Sequence, residues 1–204
     1  MTRHTITTEG IGRREAVPDL ATVESRMIAG GDSAAVARVA VRDRVETIRE
    51  SVTSVSDAQF QTTGIEIEET SKLFEPETDA PYQATVSFRI ECVPETVEPV
   101  VLEVTEGSGS ITGIEFELHR DVSRRLQNEA LAAATERARE KAEHIAATEG
   151  VAVGDVENVT TSDAHLNIGS LADIAWESCP DVNCQPTPVT IAASVEVTYE
   201  LVTD

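Results

Sequence analysis

Residues 82–92 read YQATVSFRIEC, and the alternation in this stretch is the strongest indication of the fold class. Every second residue is apolar, and the residues between are polar or charged. The apolar set is Tyr82, Ala84, Val86, Phe88, Ile90 and Cys92. A period of two predicts a β-strand with one face in the core and one in solvent. The pattern also places Cys92 in the core, where a free thiol is normally inert.

On the N-terminal side of this strand, the pattern changes twice. Residues 21–29 alternate like a strand and end at Gly30-Gly31. Asp32 or Ser33 can then cap a helix, whose apolar residues recur every three or four positions up to Val55. A further strand is predicted around residues 65–68, followed by a polar turn.

On the C-terminal side, a short helix is predicted over residues 94–106 and a strand over 114–118. A long helix is predicted from about residue 121 to 149, ended by Gly150. Strands follow at 151–161 and 191–201. The predicted apolar stripe of the long helix is Val122, Leu126, Ala130, Ala133, Ala134, Ala138, Ala142 and Ile145.

The predicted order, with a weak strand near the N-terminus, is β-β-α-β-β-α-β-α-β-β. Because helices do not alternate strictly with strands, the order predicts an α+β fold with mainly antiparallel sheets and helices packed on one face. We expect one domain over residues 1–204, built from two interleaved α/β sandwich subdomains. The predicted subdomains are residues 1–75 plus 165–204, and residues 76–164.

The charge balance excludes several partners. The chain has 37 Asp and Glu against 16 Lys and Arg, a formal net charge of -21 in 204 residues. Such a field repels nucleic-acid phosphates and anionic membranes, so neither is an expected partner. Lys72 and Lys141 are the only lysines. An acidic, lysine-poor chain with periodic apolar residues predicts a folded protein adapted to concentrated salt, where charge repulsion is screened.

The N-terminal residues MTRHTITTEGIGRRE contain no apolar segment of the kind found in a signal peptide. No window approaches 18 continuous apolar residues, so no transmembrane helix is predicted. The sequence as it stands predicts a cytoplasmic protein.

Catalytic and cofactor motifs are absent from the sequence. Gly10-Ile11-Gly12 resembles the start of a dinucleotide fingerprint, but the third glycine and the following helix are missing. A bend or bulge between strands is the favoured interpretation. No P-loop lysine, HExxH or GxSxG motif occurs. The sequence therefore predicts no catalytic residue and no cofactor, and it favours a protein that is not an enzyme.

Two cysteines lie outside the predicted core strand. Cys179 and Cys184 are separated by four residues, and His165 could supply a third metal ligand. A structural zinc site needs four ligands, and the sequence offers no convincing fourth. Free thiols are the favoured interpretation; a local disulfide and a metal site remain alternatives.

The segment between about residues 162 and 188 is long for a loop in a compact domain. It contains the only tryptophan, Trp176, together with Leu171 and Ile174. An aromatic residue among aliphatic residues often anchors a partner, so these three are candidate interface residues. The alternative is that Trp176 covers the core of its own chain.

Several stretches, taken in order, resemble the SIMPL-domain family, which is poorly characterised. They are Thr8–Gly12 followed by Val17–Val23, the Tyr82–Val86 strand, Ile111–Phe116, the alanine-rich Ala130–Gly150, and Pro188–Leu201. The resemblance covers nearly the whole chain.

The resemblance implies an α+β fold of two interleaved subdomains. It also implies homo-oligomers, some of them ring-like or channel-like, and protein partners that include a signalling kinase. Roles in stress tolerance and as envelope antigens are known in the family. The resemblance implies no catalytic residue. We therefore expect a non-enzymatic, oligomerising or protein-binding protein; an enzyme with a cleft between subdomains and a metal-handling protein are the alternatives.

Overall fold

The computed structural model describes residues 4–162 and 187–202. These residues form seven strands and three α-helices, with two short 3-10 turns. The elements are β1 (Thr5–Ala16), β2 (Leu20–Gly31), α1 (Ala34–Val55), β3 (Gln59–Glu69), β4 (Tyr82–Cys92), α2 (Val97–Glu106), β5 (Ser110–Glu117), α3 (Arg120–Thr148), β6 (Ala152–Ser162) and β7 (Val189–Val202).

The fold is α+β with two antiparallel sheets, as the sequence predicts. The first sheet has four strands in the order β3-β4-β2-β5 and lies in a unit formed by residues 18–117. The second has three strands in the order β1-β7-β6. Its unit contains residues 4–17, 118–162 and 187–202 of the described chain.

In the four-stranded unit, β4 lies between β2 and β3 and pairs with both over nearly its whole length. The predicted alternation is confirmed. Val86, Phe88 and Ile90 are buried against the helices, and Cys92 is buried with them. Phe88 stacks on Phe60 of β3 with 4.8 Å between ring centroids. The period of two in β4 therefore builds the centre of this core.

Helix α1 begins at Ser33, one of the two predicted caps. The Ser33 hydroxyl accepts a hydrogen bond from the Val36 amide at 3.4 Å, which satisfies one free donor of the first turn. The buried stripe is Ala37, Val41, Val45, Ile48 and Val52. Helix α2 adds Val97, Val100, Val101 and Val104 to the same core.

In the three-stranded unit, α3 packs mainly on β1 and β7. Its buried residues lie exactly four positions apart, which makes a single inclined row of small side chains along the helix. The row is Leu126, Ala130, Ala134, Ala138, Ala142 and Ala146. The predicted stripe is therefore wrong at its end: Ile145 is 48% exposed, and Ala146 takes the core position.

Gly10 and Gly12 lie where α3 approaches β1. A Cβ atom on Gly10 would stand 1.9 Å from the Ala134 carbonyl oxygen, and one on Gly12 would stand 1.9 Å from that of Ala130. The predicted bend or bulge is wrong, because β1 pairs with β7 from Thr5 to Ala16 without a register shift. These glycines are present because the helix backbone lies directly on the strand.

The division into units differs from the predicted subdomains. Strand β4 was predicted to fall in a different subdomain from residues 18–75, yet it pairs with β2 and β3. Residues 18–117 therefore form one unit. The other unit is closed by β1 and β7, which pair although they lie at opposite ends of the sequence.

We predict that Gly10→Ala and Gly12→Ala each destabilise the protein by about 3 kcal/mol or more, at the upper end of the usual cost of overpacking, because the added methyl meets backbone atoms that cannot rotate away. Chemical denaturation measures the change.

Gly64→Ala is the matched control, because a Cβ at Gly64 of β3 would meet nothing within 4 Å. Its effect should stay within about 1 kcal/mol. Equal effects at Gly64 and Gly10 would show that close helix packing is not the reason for the glycine in β1.

Candidate interaction surface

The two sheets have four edge strands: β3 and β5 in one, β1 and β6 in the other. An edge strand presents a row of backbone donors and acceptors that another strand can pair with. The described part of the protein covers the four edges to different extents. The differences concern both the backbone groups and the side chains beside them.

The backbone of β1 is partly satisfied by α3. The Lys141 ammonium donates to the Glu9 carbonyl at 2.7 Å, and the Arg137 guanidinium donates to the Ile11 carbonyl at 2.5 Å. The Thr8 hydroxyl donates to the Ala138 carbonyl at 2.7 Å. Two charged side chains of this helix thus bind the β1 backbone. Arg139 instead pairs with Glu143 at 2.8 Å, four positions later on the same helix.

Strand β6 is far less covered. It pairs with β7 on one side, and no strand of the described chain pairs with its other side. Val156 and Val159 are each 51% exposed. They lie opposite Tyr199 and Val197, whose side chains are buried under α3, so the valines occupy the same sheet face. The helix covers β1 and β7 and leaves the β6 part of this apolar face open.

Strand β3 repeats this arrangement in the other sheet. Ile65 and Ile67 are 51% and 36% exposed and lie opposite the buried residues Val86 and Ala84. The exposed isoleucines alternate with glutamates at positions 66 and 68. On β5, by contrast, Ile111 and Ile114 are partly buried and pack against the core.

A small polar cavity of about 220 Å³ lies within the unit of residues 18–117. Its lining residues are Ile28, Ala29, Gly30, Arg44, Glu77, Thr78, Ser108 and Ser110. Both charged groups already have partners: Arg44 donates to the Ile28 carbonyl at 3.0 Å, and Glu77 pairs with Arg26 at 3.3 Å. The cavity thus offers hydroxyl groups, a carboxylate paired with Arg26 and a guanidinium bound to a backbone carbonyl.

The titratable groups of the core are shifted away from reactivity. Burial raises the pKa of the Cys92 thiol, and a hydrogen bond with Thr96 opposes the shift only in part. Burial also raises the pKa of Tyr199. A nucleophilic thiol needs a lowered pKa, so Cys92 has the properties of a structural residue.

The other residues singled out in the sequence are not placed by the structure. Cys179, Cys184 and His165, and the interface candidates Leu171, Ile174 and Trp176, lie outside the described residues. Within residues 4–162 and 187–202, no group of three or more His, Cys, Asp or Glu side chains could hold a metal ion. No helix in the described ranges is long and apolar enough to cross a membrane.

The exposed valines of β6 were missed in the sequence, although a signal exists. Val153, Val156 and Val159 are spaced by three, which breaks the two-residue period of a half-buried strand. The structure accommodates this spacing with two register shifts against β7, between Val153 and Val156 and between Val156 and Asn158. An irregular apolar spacing in a strand flanked by regular ones indicates an edge.

Comparisons with known proteins identify a family but no activity. A family model described as SIMPL, protein of unknown function (DUF541), matches residues 6–199. No curated protein matches the sequence. Among solved structures, one similar chain is an amidase of the hydantoinase/carbamoylase family from Burkholderia phymatum, with 15% identity and a TM-score of 0.28. The match covers 62% of this chain but only 35% of the amidase chain, and at this TM-score it supports no argument.

We predict that Cys92 is unreactive in the folded protein. In a Cys179→Ser/Cys184→Ser variant, Cys92 should react with a thiol reagent at least about tenfold more slowly than after unfolding in denaturant, because its thiol is buried with a raised pKa. Reaction at similar rates in the folded and unfolded states would contradict this.

A separate prediction concerns the other two cysteines. If Cys179 and Cys184 are free thiols, protein purified without chelator contains no stoichiometric zinc, and thiol titration after unfolding finds all 3 cysteines reduced. Elemental analysis and titration measure both quantities. Stoichiometric zinc that is lost in the Cys179→Ser variant would instead establish a metal site.

Proposed function

Because the chain belongs to the SIMPL family, whose function is unknown, we propose that this protein is a non-enzymatic assembly protein that binds other protein chains, most simply copies of itself. The observation that supports the proposal most directly is that two 11-residue edge strands, β3 and β6, have exposed apolar side chains on their helix-facing sides.

The exposed side chains and backbone groups of these edges can contribute binding energy when another strand covers them. Covering a half-exposed valine or isoleucine contributes about 1 kcal/mol, and each favourable cross-strand pair contributes about 0.2–1 kcal/mol. An edge of 11 residues, the length of both β3 and β6, offers several such pairs. Strand addition can therefore supply useful binding energy from a small surface.

Charge opposes assembly and makes it depend on salt. Each copy has a formal net charge of -21, so two copies repel one another at low ionic strength. The Debye length falls from about 8 Å at physiological ionic strength to about 3 Å at 1 M salt. Adaptation to concentrated salt, which the acidic composition favours, would thus also permit self-association.

We predict that the purified protein has a mass of at least twice its chain mass of 21.9 kDa in about 2 M KCl, and that lowering the salt shifts it toward the monomer. Multi-angle light scattering over a range of protein concentrations measures this, with circular dichroism to confirm that the protein stays folded at each salt. A folded monomer at every concentration and salt would refute self-assembly.

A further inference from the structure

We infer that the outer edge of β6 pairs with the same edge of a second copy, antiparallel and about a two-fold axis at Thr160. This inference rests on the proposed function, which it sharpens by naming the interface and its register. Pairing would join two three-stranded sheets into one six-stranded sheet, in the order β1-β7-β6-β6-β7-β1.

Comparison of the four edges favours β6. Side chains of α3 already bind backbone carbonyls of β1. Strand β5 has only 8 residues, and its two isoleucines pack on the core. Strand β3 contains glutamates at 66, 68 and 69. The uncharged residues of β3, at 59–65, are interrupted by a register shift between Thr62 and Gly64. Strand β6 combines 11 residues, exposed valines and an uncharged stretch in regular register.

The uncharged stretch is Asn158–Ser162, with the sequence NVTTS. All five of its side chains are exposed, and it pairs with β7 in regular register, whereas both register shifts lie before Asn158. Valine and threonine favour the extended conformation. In a chain in which 26% of residues are charged, a regular and uncharged edge is the surface that a second acidic copy can approach.

A two-fold axis at Thr160 makes this stretch complementary to itself. Thr160 lies opposite Thr160 of the second copy, Asn158 opposite Ser162, and Val159 opposite Thr161. Directly opposite threonines form favourable cross-strand pairs. Glu157 and Asp163 bound this stretch in the sequence, each three positions from Thr160. Glu157 would lie six positions, or about 20 Å, along the strand from its own counterpart, but pairing extended beyond Ser162 would set it opposite Asp163 of the second copy, so we expect the interface to need charge screening by salt.

The same axis brings the exposed valines together. An axis perpendicular to the sheet keeps the α3-bearing faces of both copies on the same side. Val159 lies on that face, as its pairing with buried Val197 shows. It would then lie opposite Thr161 of the second copy and within diagonal reach, about 7–8 Å, of the second Val159. The apolar surface that α3 leaves open would be covered from across the interface.

Cysteine cross-linking tests the interface. In the Cys179→Ser/Cys184→Ser background, where Cys92 is buried, Thr160→Cys places an exposed thiol on the proposed axis. Thr63→Cys is the matched control, an exposed threonine on the edge strand of equal length, β3. With a short bis-maleimide, at the lowest salt at which light scattering finds a dimer, we expect most Thr160→Cys chains to form covalent dimers and Thr63→Cys chains to stay mainly monomeric.

Mixed variants test the register. A mixture of Asn158→Cys and Ser162→Cys chains should give cross-linked heterodimers in excess of either homodimer, because the two positions face each other. Circular dichroism on each variant establishes that it is folded before cross-linking.

The possible results distinguish pairing through β6 from self-assembly through another surface. If light scattering shows an oligomer but Thr160→Cys cross-links no more than Thr63→Cys, the β6 interface is wrong and the proposed function stands. If the mixture gives homodimers in excess, the register is wrong. A monomeric wild-type protein would refute the assembly function and this interface together.

Discussion

The backbone-to-backbone approach of α3 to β1 is the constraint on which the three-stranded unit depends. The carbonyl groups of Ala130 and Ala134 occupy the space that a side chain would take at Gly12 and Gly10. Neither the strand nor the helix can give way locally, because the strand is paired to β7 throughout and the helix row is made of alanines four residues apart. A glycine pair that resembles a nucleotide-binding loop in sequence is here a packing surface.

This contact also decides which part of the sheet is covered. A helix seated on β1 and β7 reaches the outer strand of the same sheet near Val153 but leaves Val156 and Val159 exposed on its apolar face. The same seating brings Arg137 and Lys141 close enough to bind carbonyls of β1. The same helix position therefore covers part of the β1 edge and leaves most of the β6 edge exposed. Close packing and the available interaction surface are two consequences of the same helix position.

The sequence predicts the parts of this fold that depend on local pattern. The period of two in β4, the stripe of α1, its Ser33 cap and the buried thiol of Cys92 are all confirmed. Each follows from residues within a few positions of one another. The apolar row of α3 was predicted except at two places. Spacing by four, rather than by three and four, leaves Ala133 outside the buried row and puts Ala146 in the core in place of Ile145.

What could not be predicted depends on pairing between distant residues. The unit boundaries follow from β1 pairing with β7 across Thr5 and Glu200, which no periodicity reveals. The role of Gly10 is likewise set by Ala134, more than 120 positions away. The edge status of β6 is a property of strand order, which only the assembled sheet shows. The loop residues chosen from the sequence, Trp176 among them, lie outside the described structure.

Symmetry sets a limit on what a single open edge can build. A two-fold contact between identical β6 edges is isologous and closes at a dimer. Any larger assembly needs a second surface, and β3, with Ile65 and Ile67 exposed, is a long edge of the described chain whose backbone carbonyls are not bound by α3 as those of β1 are. Its glutamates would face acidic counterparts, so β3 pairing should demand more charge screening than β6 pairing. In an acidic chain, ionic strength can therefore select between a dimer formed through the uncharged Asn158–Ser162 stretch of β6 and larger assemblies that also use β3.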